Sequence, residues 1–156
     1  MIKITLITLG SLKETYWKEA EKEYLKRLNL YVKFQHIELK EERFSDLHER
    51  ETVRITEAQK ILKVLPNDCY LIVLDERGKE MDSPAFSKLL FHTIPQGTHI
   101  VFVIGGPLGF SEEIKKKARL LLSFSQFTFP HQMIRTILLE QIYRAGTIAH
   151  EKQYHY

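Results

Sequence analysis

Apolar and polar residues follow two different spacings along the chain, and each spacing predicts a different secondary structure. Short apolar runs rich in β-branched and aromatic residues, bounded by turn-forming residues, are typical of buried strands. The longer segments between them carry apolar residues on one helical face. The predicted strands cover residues 2–9, 32–39, 69–74, 99–104 and 120–124. The predicted helices cover residues 14–29, 52–65, a segment from 84, a segment from 112, and 131–150.

This alternation predicts an α/β fold in which a mostly parallel sheet has helices on both faces. The whole chain, residues 1–156, is long enough for one core and too short for two comfortable ones, so we expect a single domain. The densely charged segment 40–51 is interpreted as a surface loop or as the lead-in to the second helix. Ser83 is the predicted cap of the third helix, with Pro84 at its first position.

Three predicted strands end in loops of unusual composition: Leu74 to Gly78, Gly105 to Phe110, and Ser125 to Pro130. In parallel sheets ligands bind outside the carboxyl ends of the strands. If these three strands are neighbours, their loops form one pocket. The glycine-rich loop would bring bare backbone N–H groups against a ligand, although glycines needed only for a strand-to-helix turn are an open alternative.

The third loop alternates phenylalanines with small hydroxyl residues before Pro130. Such a segment suits an apolar slot whose backbone groups contact the edge of a heterocycle. A strand edge that stops at proline is the alternative interpretation. Ser111 is the predicted cap of the helix that follows the glycine-rich loop, with acidic residues in its first turn.

Composition and charge exclude several classes of protein. The net charge of +3 argues against coating of long nucleic acids but allows a local patch for a defined RNA site. Cys69 is the only cysteine, which excludes an internal disulfide and fits a reducing cytoplasm. The seven histidines have no metal-binding spacing, so we expect no metal. No apolar run approaches the roughly 20 residues that span a bilayer, so we expect a soluble protein with no membrane segment.

The position of the glycines also limits the chemistry. A dinucleotide-binding fold has its glycine fingerprint after the first strand, where this chain has Gly10 alone. The later glycine-rich loop is not followed by the G-K-[ST] of a phosphate-binding loop. A cofactor that brings its own activated group would leave the protein only to bind it, orient it and handle a proton. A flavodoxin-like nucleotide protein is an alternative.

Several segments together resemble the ribosomal large subunit methyltransferase H family. They are IGGPLG, LSFSQFTFPHQMIR, EQIYRA, VLDERGK and the terminal Tyr154-His155. The resemblance covers essentially the whole chain and implies a SPOUT fold with a C-terminal trefoil knot that holds S-adenosylmethionine. It further implies methylation of N3 of a pseudouridine in helix 69 of 23S rRNA, on the ribosome and by a homodimer. A catalytically silent RNA-binding module with the same fold is the alternative function.

The same resemblance implies two groups of site residues. The expected cofactor contacts are Leu74, Gly105, Gly106, Ser125, Gln126, Phe127, Thr128, Phe129 and Pro130. The residues expected near the substrate are His131, Arg144, Tyr154 and His155. His131 could instead only cap the last helix, and Arg135 and Arg144 could pair with Glu140 or lie in solvent.

The methyl acceptor that the resemblance implies is an imide nitrogen, whose proton must leave before its lone pair attacks. Histidine exchanges protons near neutral pH, and arginine stabilises oxygen atoms that gain negative charge. The last predicted helix is apolar over more than one stripe, which predicts a homodimer interface; complete burial within one subunit is the alternative. The chain departs from the family at Tyr156, where Lys or Arg is frequent, and at Gly146, which costs about 1 kcal/mol of helix stability relative to alanine.

Overall fold

The chain folds around a five-stranded sheet. The computed structural model describes residues 1–152. The strands are β1 (Ile2–Leu9), β2 (Val32–Leu39), β3 (Cys69–Glu80), β4 (His99–Ile104) and β5 (Leu120–Ser123). The helices are α1 (Thr15–Leu28), α2 (Arg50–Val64), α3 (Ser83–Lys88), α4 (Glu112–Lys117) and α5 (His131–Ala149). A 3-10 turn, Leu47–Glu49, precedes α2, and a π-helical turn, Leu89–Thr93, extends α3.

The strand order is β2-β1-β4-β3-β5, and every neighbouring pair is parallel. The predicted parallel sheet is therefore confirmed. The order also makes β4, β3 and β5 neighbours, which was the condition for their loops to meet. All three carboxyl ends lie at the same edge of the sheet, because parallel strands run in one direction.

Helices cover both faces of the sheet, as predicted, because successive strand residues point to opposite sides. Ile100 and Phe102 pack in one core with Leu138 of α5, together with residues of α1 and α3. Val103 packs in a second core with Ile61 of α2, together with residues of α4. Full burial of each such side chain stabilises the fold by about 1.5–3 kcal/mol.

The structure corrects the predicted end of β3. Asp75 to Lys79 was expected to be a loop after the strand, but β3 continues to Glu80. Leu74 and Lys79 both pair with Leu122 of β5, so the residues between them bulge out of the strand. A Cβ on Gly78 would lie 2.6 Å from the backbone of Leu121, so this bulge packs directly against β5. The pairing is non-local, which explains why the local pattern does not predict it.

The cap of α3 also differs from the prediction. The Asp82 carboxylate accepts a hydrogen bond of 2.7 Å from the N–H of Ala85, so Asp82 is the N-cap. Ser83, the predicted cap, is the first helical residue, and its hydroxyl donates to Gln141 of α5 at 2.8 Å. Asp and Ser have similar capping preferences, so composition alone does not choose between adjacent candidates.

Arg135 connects α5 to the rest of the fold. Its side chain is buried, and it donates to Glu21 of α1 at 2.8 Å and to Glu38 of β2 at 3.1 Å. The predicted alternative that Arg135 pairs with Glu140 is therefore wrong. Burial, and then the charge of Arg135, lower the pKa of His36, whose Nδ1 lies 3.1 Å from the guanidinium. This network fixes the first turns of α5 on the sheet.

Gly146 has a packing reason to be a glycine. A Cβ at this position would lie 2.7 Å from the ring of Tyr31. That ring also contacts Tyr143 and His150, at centroid distances of 5.8 and 5.0 Å. Glycine lowers the helix propensity of α5 at this position, but it allows close contact with an aromatic ring. None of the helices within residues 1–152 is both long and apolar enough to cross a membrane.

Candidate functional site

A cavity of about 730 Å³ lies at the bulge of β3 and at the carboxyl ends of β4 and β5. Its volume is within the roughly 300–1,000 Å³ that is typical of ligand pockets. The three loops that the sequence singled out all contribute to its wall. Among the predicted cofactor contacts, those that line the cavity are Leu74, Gly105, Gly106, Ser125, Phe127, Thr128, Phe129 and Pro130. Gln126 is not part of the lining.

The wall of the cavity carries apolar groups and both signs of charge. The apolar part includes Leu74, Ile104 and Phe110, and the cationic part includes Arg54 and Lys115. The acidic lining residues are Asp75, Glu76 and Glu112. Lys115 of α4 and Asp75 of the β3 bulge form an ion pair of 3.4 Å. The cavity is therefore suited to a ligand with an apolar body and charged ends.

The glycines after β4 are required by close packing on both sides of the loop. A Cβ on Gly105 would lie 2.7 Å from the ring of Phe110, and one on Gly106 would lie 3.2 Å from the carboxylate of Glu57. Gly109 adopts a φ of +77°, which favours glycine, and its N–H donates to the Gly106 carbonyl at 3.1 Å. The steric reason for these glycines is therefore real, and all three of them also line the cavity.

Helix α2 supports the glycine-rich loop, a contact that the sequence did not predict. The Arg54 Nε donates to the Leu108 carbonyl at 2.7 Å. Glu57, one turn further, is 3% exposed, and its Oε1 accepts from the N–H of Glu42 at 3.0 Å. Within the described part of the chain its Oε2 has no hydrogen-bond partner. Burial is the main cause that raises the pKa of Glu57.

The charged segment before α2 is fastened to the same helix. Lys60 donates to the carbonyl of Lys40 at 2.8 Å and forms an ion pair with Glu42. Together with the bond from Glu42 to Glu57, these contacts hold the start of the segment against α2. Of the two interpretations, the lead-in to the second helix is confirmed, since the 3-10 turn and then α2 follow directly.

The loop after β5 is shaped by short-range hydroxyl contacts. The Ser123 hydroxyl lies 3.1 Å from the Glu76 carbonyl and 2.9 Å from the Ser125 carbonyl. The Ser125 hydroxyl accepts from the N–H of Phe127 at 3.1 Å. Phe127 is 81% exposed at the mouth of the cavity. This loop is therefore an open wall of the site and not part of either core.

His131 is the first residue of α5 and lines the same cavity. It does not cap the helix: the N-cap is Pro130, and no side chain makes a capping bond there. Its Nε2 is buried and has no hydrogen-bond partner within residues 1–152. A Cβ on Gly10 would lie 3.4 Å from this nitrogen and 3.1 Å from Glu41 Oε2, so Gly10 leaves room between an imidazole and a carboxylate.

The structure does not bring all predicted substrate residues to this cavity. Arg144 lies further along α5, outside the lining, and pairs with Glu140 at 2.6 Å. That pairing is the alternative that the sequence left open for Arg144. Tyr154 and His155 lie outside the described residues. Among residues 1–152, no group of three or more His, Cys, Asp or Glu side chains is arranged to hold a metal ion.

The fold and the cavity have counterparts in known proteins. A family model described as "Predicted SPOUT methyltransferase" matches residues 2–155. The ribosomal RNA large subunit methyltransferase H of Caldicellulosiruptor saccharolyticus is 45% identical over 155 residues, which cover 99% of both chains. The protein of the same name from Streptococcus thermophilus is 42% identical over 158 aligned positions, again with 99% coverage of both.

Among solved structures, a probable methylase family protein from Haemophilus influenzae aligns with 97% of this chain and 69% of its own. Its TM-score of 0.55 at 14% identity is a likeness of fold alone. The full-length family match and the two relatives go further than this likeness. The chain belongs to the ribosomal RNA large subunit methyltransferase H family of SPOUT methyltransferases.

Proposed function

We propose that this protein transfers the methyl group of S-adenosylmethionine to N3 of a pseudouridine in helix 69 of 23S rRNA, acting on the ribosome in the cytoplasm. The observation that carries the proposal is the cavity that the β3 bulge and the loops after β4 and β5 form together. It occurs in a chain that shares its full length with proteins named ribosomal RNA large subunit methyltransferase H. The cavity supplies a place for the donor next to a candidate proton acceptor.

The lining residues fit the methyl donor. When bound, S-adenosylmethionine supplies an electrophilic methyl group on a sulfonium, so the protein needs no metal or nucleophile. We assign the heterocycle to the slot between Leu74, the Gly105-Gly106 turn and the loop 125–130. Apolar side chains and backbone groups there suit an adenine ring. Gln126 is not part of the lining, so this assignment includes no contact from it.

We assign the removal of the N3 proton to His131. A neutral imidazole accepts a proton near neutral pH, and His131 lies at the wall of the cavity. In this role His131 would receive the N3–H proton, and the donor held at the loop 125–130 would supply the methyl group that takes its place. An arginine close to the ring oxygens would stabilise the charge that develops there, which is the role we assign to Arg144.

The length of α5 supports substrate residues that act across a dimer. The helix carries the chain roughly 28 Å from His131 to Ala149. Lys152, the last described residue, is still near the far end, since its N–H donates to the Thr147 carbonyl. We propose that Tyr154 and His155 of one copy complete the cavity of a second copy.

A half-buried apolar stripe on α5 supports this homodimer. Met133, Ile137 and Ile148 are partly exposed and belong to neither core. They repeat at intervals that place them on one side of the helix, along with Arg144. The alternative of complete burial of α5 within one subunit does not account for these side chains. We propose that two copies pair through this stripe.

The proposal also includes one domain over residues 1–156 and a C-terminal trefoil knot. The β3 bulge packs against β5, and α5 packs on the face of the sheet that carries α1 and α3. These contacts support a knot in which the C-terminal part of the chain passes through a loop. A crystal structure in which the chain is not knotted would contradict this part of the proposal.

The central test uses ribosomes that lack the modification. We expect that the protein with S-adenosylmethionine adds one methyl group at the target pseudouridine, measured by mass spectrometry of 23S rRNA fragments. His131→Ala should retain donor affinity in calorimetry and lose about 10²–10⁴-fold in rate. Donor binding without any methyl incorporation by the wild type would instead favour a catalytically silent RNA-binding module. Full activity of His131→Ala would remove its proton role.

Complementation tests the composite site. His131→Ala and His155→Ala should each be nearly inactive, since every site then lacks one of the two groups. In an equal mixture of the two variants, half of the dimers contain one copy of each. Each of these dimers has one intact site out of two, so about a quarter of wild-type activity should return. Size-exclusion chromatography with light scattering should give a dimer for both variants and a monomer for Ile137→Arg. A mixture as inactive as its components would contradict the shared site.

A further inference from the structure

Basic side chains surround the cavity, but they are held very differently. Arg50 and Arg77 are exposed at the rim, and Lys115 pairs with Asp75 at 3.4 Å. The Arg54 guanidinium is anchored through its Nε, which donates to the Leu108 carbonyl at 2.7 Å. The backbone of the glycine-rich loop thus sets the direction in which this cation points.

The anchoring bond leaves the two terminal nitrogens of Arg54 for another partner. Nη2 lies 3.4 Å from the position of a Cβ on Gly109, so it lies against the loop backbone. Nη1 is 4.0 Å from Glu51, whose side chain is 67% exposed, and such a long surface pair contributes little. The Arg54 side chain itself is 25% exposed, so an anion bound there is partly shielded from water.

We propose that Arg54 binds the carboxylate of the methionine part of the methyl donor, an inference that rests on the proposed function. The planar guanidinium offers two parallel N–H donors at the spacing of a carboxylate, which a lysine does not. Its position is set before the ligand arrives, so little side-chain freedom is lost on binding. The glycine-rich loop would then position the donor with its backbone and Arg54 would select it by charge.

The test compares two ligands that differ in the amino acid part. S-adenosylhomocysteine carries the carboxylate, whereas 5′-methylthioadenosine has the same nucleoside and sulfur without it. Calorimetry of the full-length protein gives Kd for both. Arg54→Ala should weaken S-adenosylhomocysteine about 10-fold or more, as expected for a charge-assisted bond, and change methylthioadenosine by less than about 2-fold. Arg43→Ala is the matched control, since Arg43 is an exposed arginine outside the cavity lining, and it should change neither.

Other outcomes overturn the inference in distinguishable ways. Equal weakening of both ligands would mean that Arg54 acts only by holding the Leu108 carbonyl. Unchanged Kd values with weaker binding to ribosomes would assign Arg54 to an RNA phosphate, an anion of the same chemistry from another source. Unchanged values throughout would leave it no role in recognition. If the wild type bound neither ligand, the proposed function would fail and this inference with it.

Discussion

Gly105→Ala tests why the loop after β4 begins with glycine. The added Cβ would lie 2.7 Å from Phe110 Cζ and 3.0 Å from both Cε atoms, closer than the ring can tolerate without moving. Phe110 is buried in the second core, so it has little room to shift. Overpacking of this kind typically costs about 1–3 kcal/mol. In a chain of this size each kcal/mol lowers Tm by about 2–4 °C, so we expect a loss of about 2–12 °C.

The same variant should weaken donor binding, because the ring and the loop both line the cavity. Phe110→Leu removes the three ring atoms that the Cβ would meet. The double variant Gly105→Ala/Phe110→Leu should therefore regain stability and donor affinity relative to Gly105→Ala. A coupling of about 0.5–3 kcal/mol is usual for residues in contact. Phe110→Leu alone is the control for the cavity that the smaller side chain leaves.

Urea unfolding and calorimetry with S-adenosylmethionine measure the two effects in the four proteins. Losses of stability that simply add in the double variant would refute the packing argument. If the double variant regains stability but not donor affinity, donor binding needs Gly105 for the close approach of the ligand and not for the packing of Phe110. The two reasons for this glycine, which the sequence left open, are thereby separated.

Three further predictions concern other glycines and the buried acid. Gly146→Ala should destabilise the protein in urea by about 1 kcal/mol, because the clash with Tyr31 outweighs the gain in helix propensity. Gly106→Val should displace the Glu57 carboxylate and abolish donor binding in calorimetry; unchanged affinity would place the donor elsewhere. Burial raises the pKa of Glu57. The stability that its protonated carboxyl contributes is therefore complete below the unfolded pKa near 4.5, and it declines as the pH rises towards the folded pKa. Glu57→Gln should therefore unfold at higher urea than wild type at pH 7 but not at pH 4.

The fold was predictable where local pattern and tertiary contact agree. The bounds of β1, β2 and β4 match the prediction because each is an apolar run with turn residues at its ends. The extension of β3 was not predictable, since Asp75 to Lys79 is charged and glycine-containing and becomes strand only through pairing around Leu122. The same limit applies to Arg135: its neighbour on the helix, Glu140, is visible in sequence, whereas Glu21 is not.

The candidate site was predictable from loop composition but not from helix composition. Gly105, Gly106 and His131 all line the cavity, and their roles as donor and substrate contacts stay predictions. Arg54 and Glu57 were missed because polar residues on an amphipathic helix are usually solvated. The available signal was their spacing: both lie beside Val53, Ala58 and Ile61, which are the buried apolar residues of α2. Charged residues next to the buried stripe of a helix therefore merit attention when an adjacent loop is rich in glycine.

The residues that we assign to donor binding and to proton transfer depend on helices from opposite faces of the sheet. Arg54 and Glu57 of α2 support the glycine-rich loop, whereas Arg135 fixes the first turns of α5, where His131 lies. The two helices belong to different cores, so a change on one side should not move the other. Arg54→Ala should therefore raise the donor Kd at unchanged saturated rate, and His131→Ala should lower that rate at unchanged Kd. In the double variant the two free-energy losses in kcat/KM should add within about 0.5 kcal/mol, as for independent sites. A larger coupling would mean that the loop and the helix move as one unit, and the separation of binding from proton transfer would be wrong.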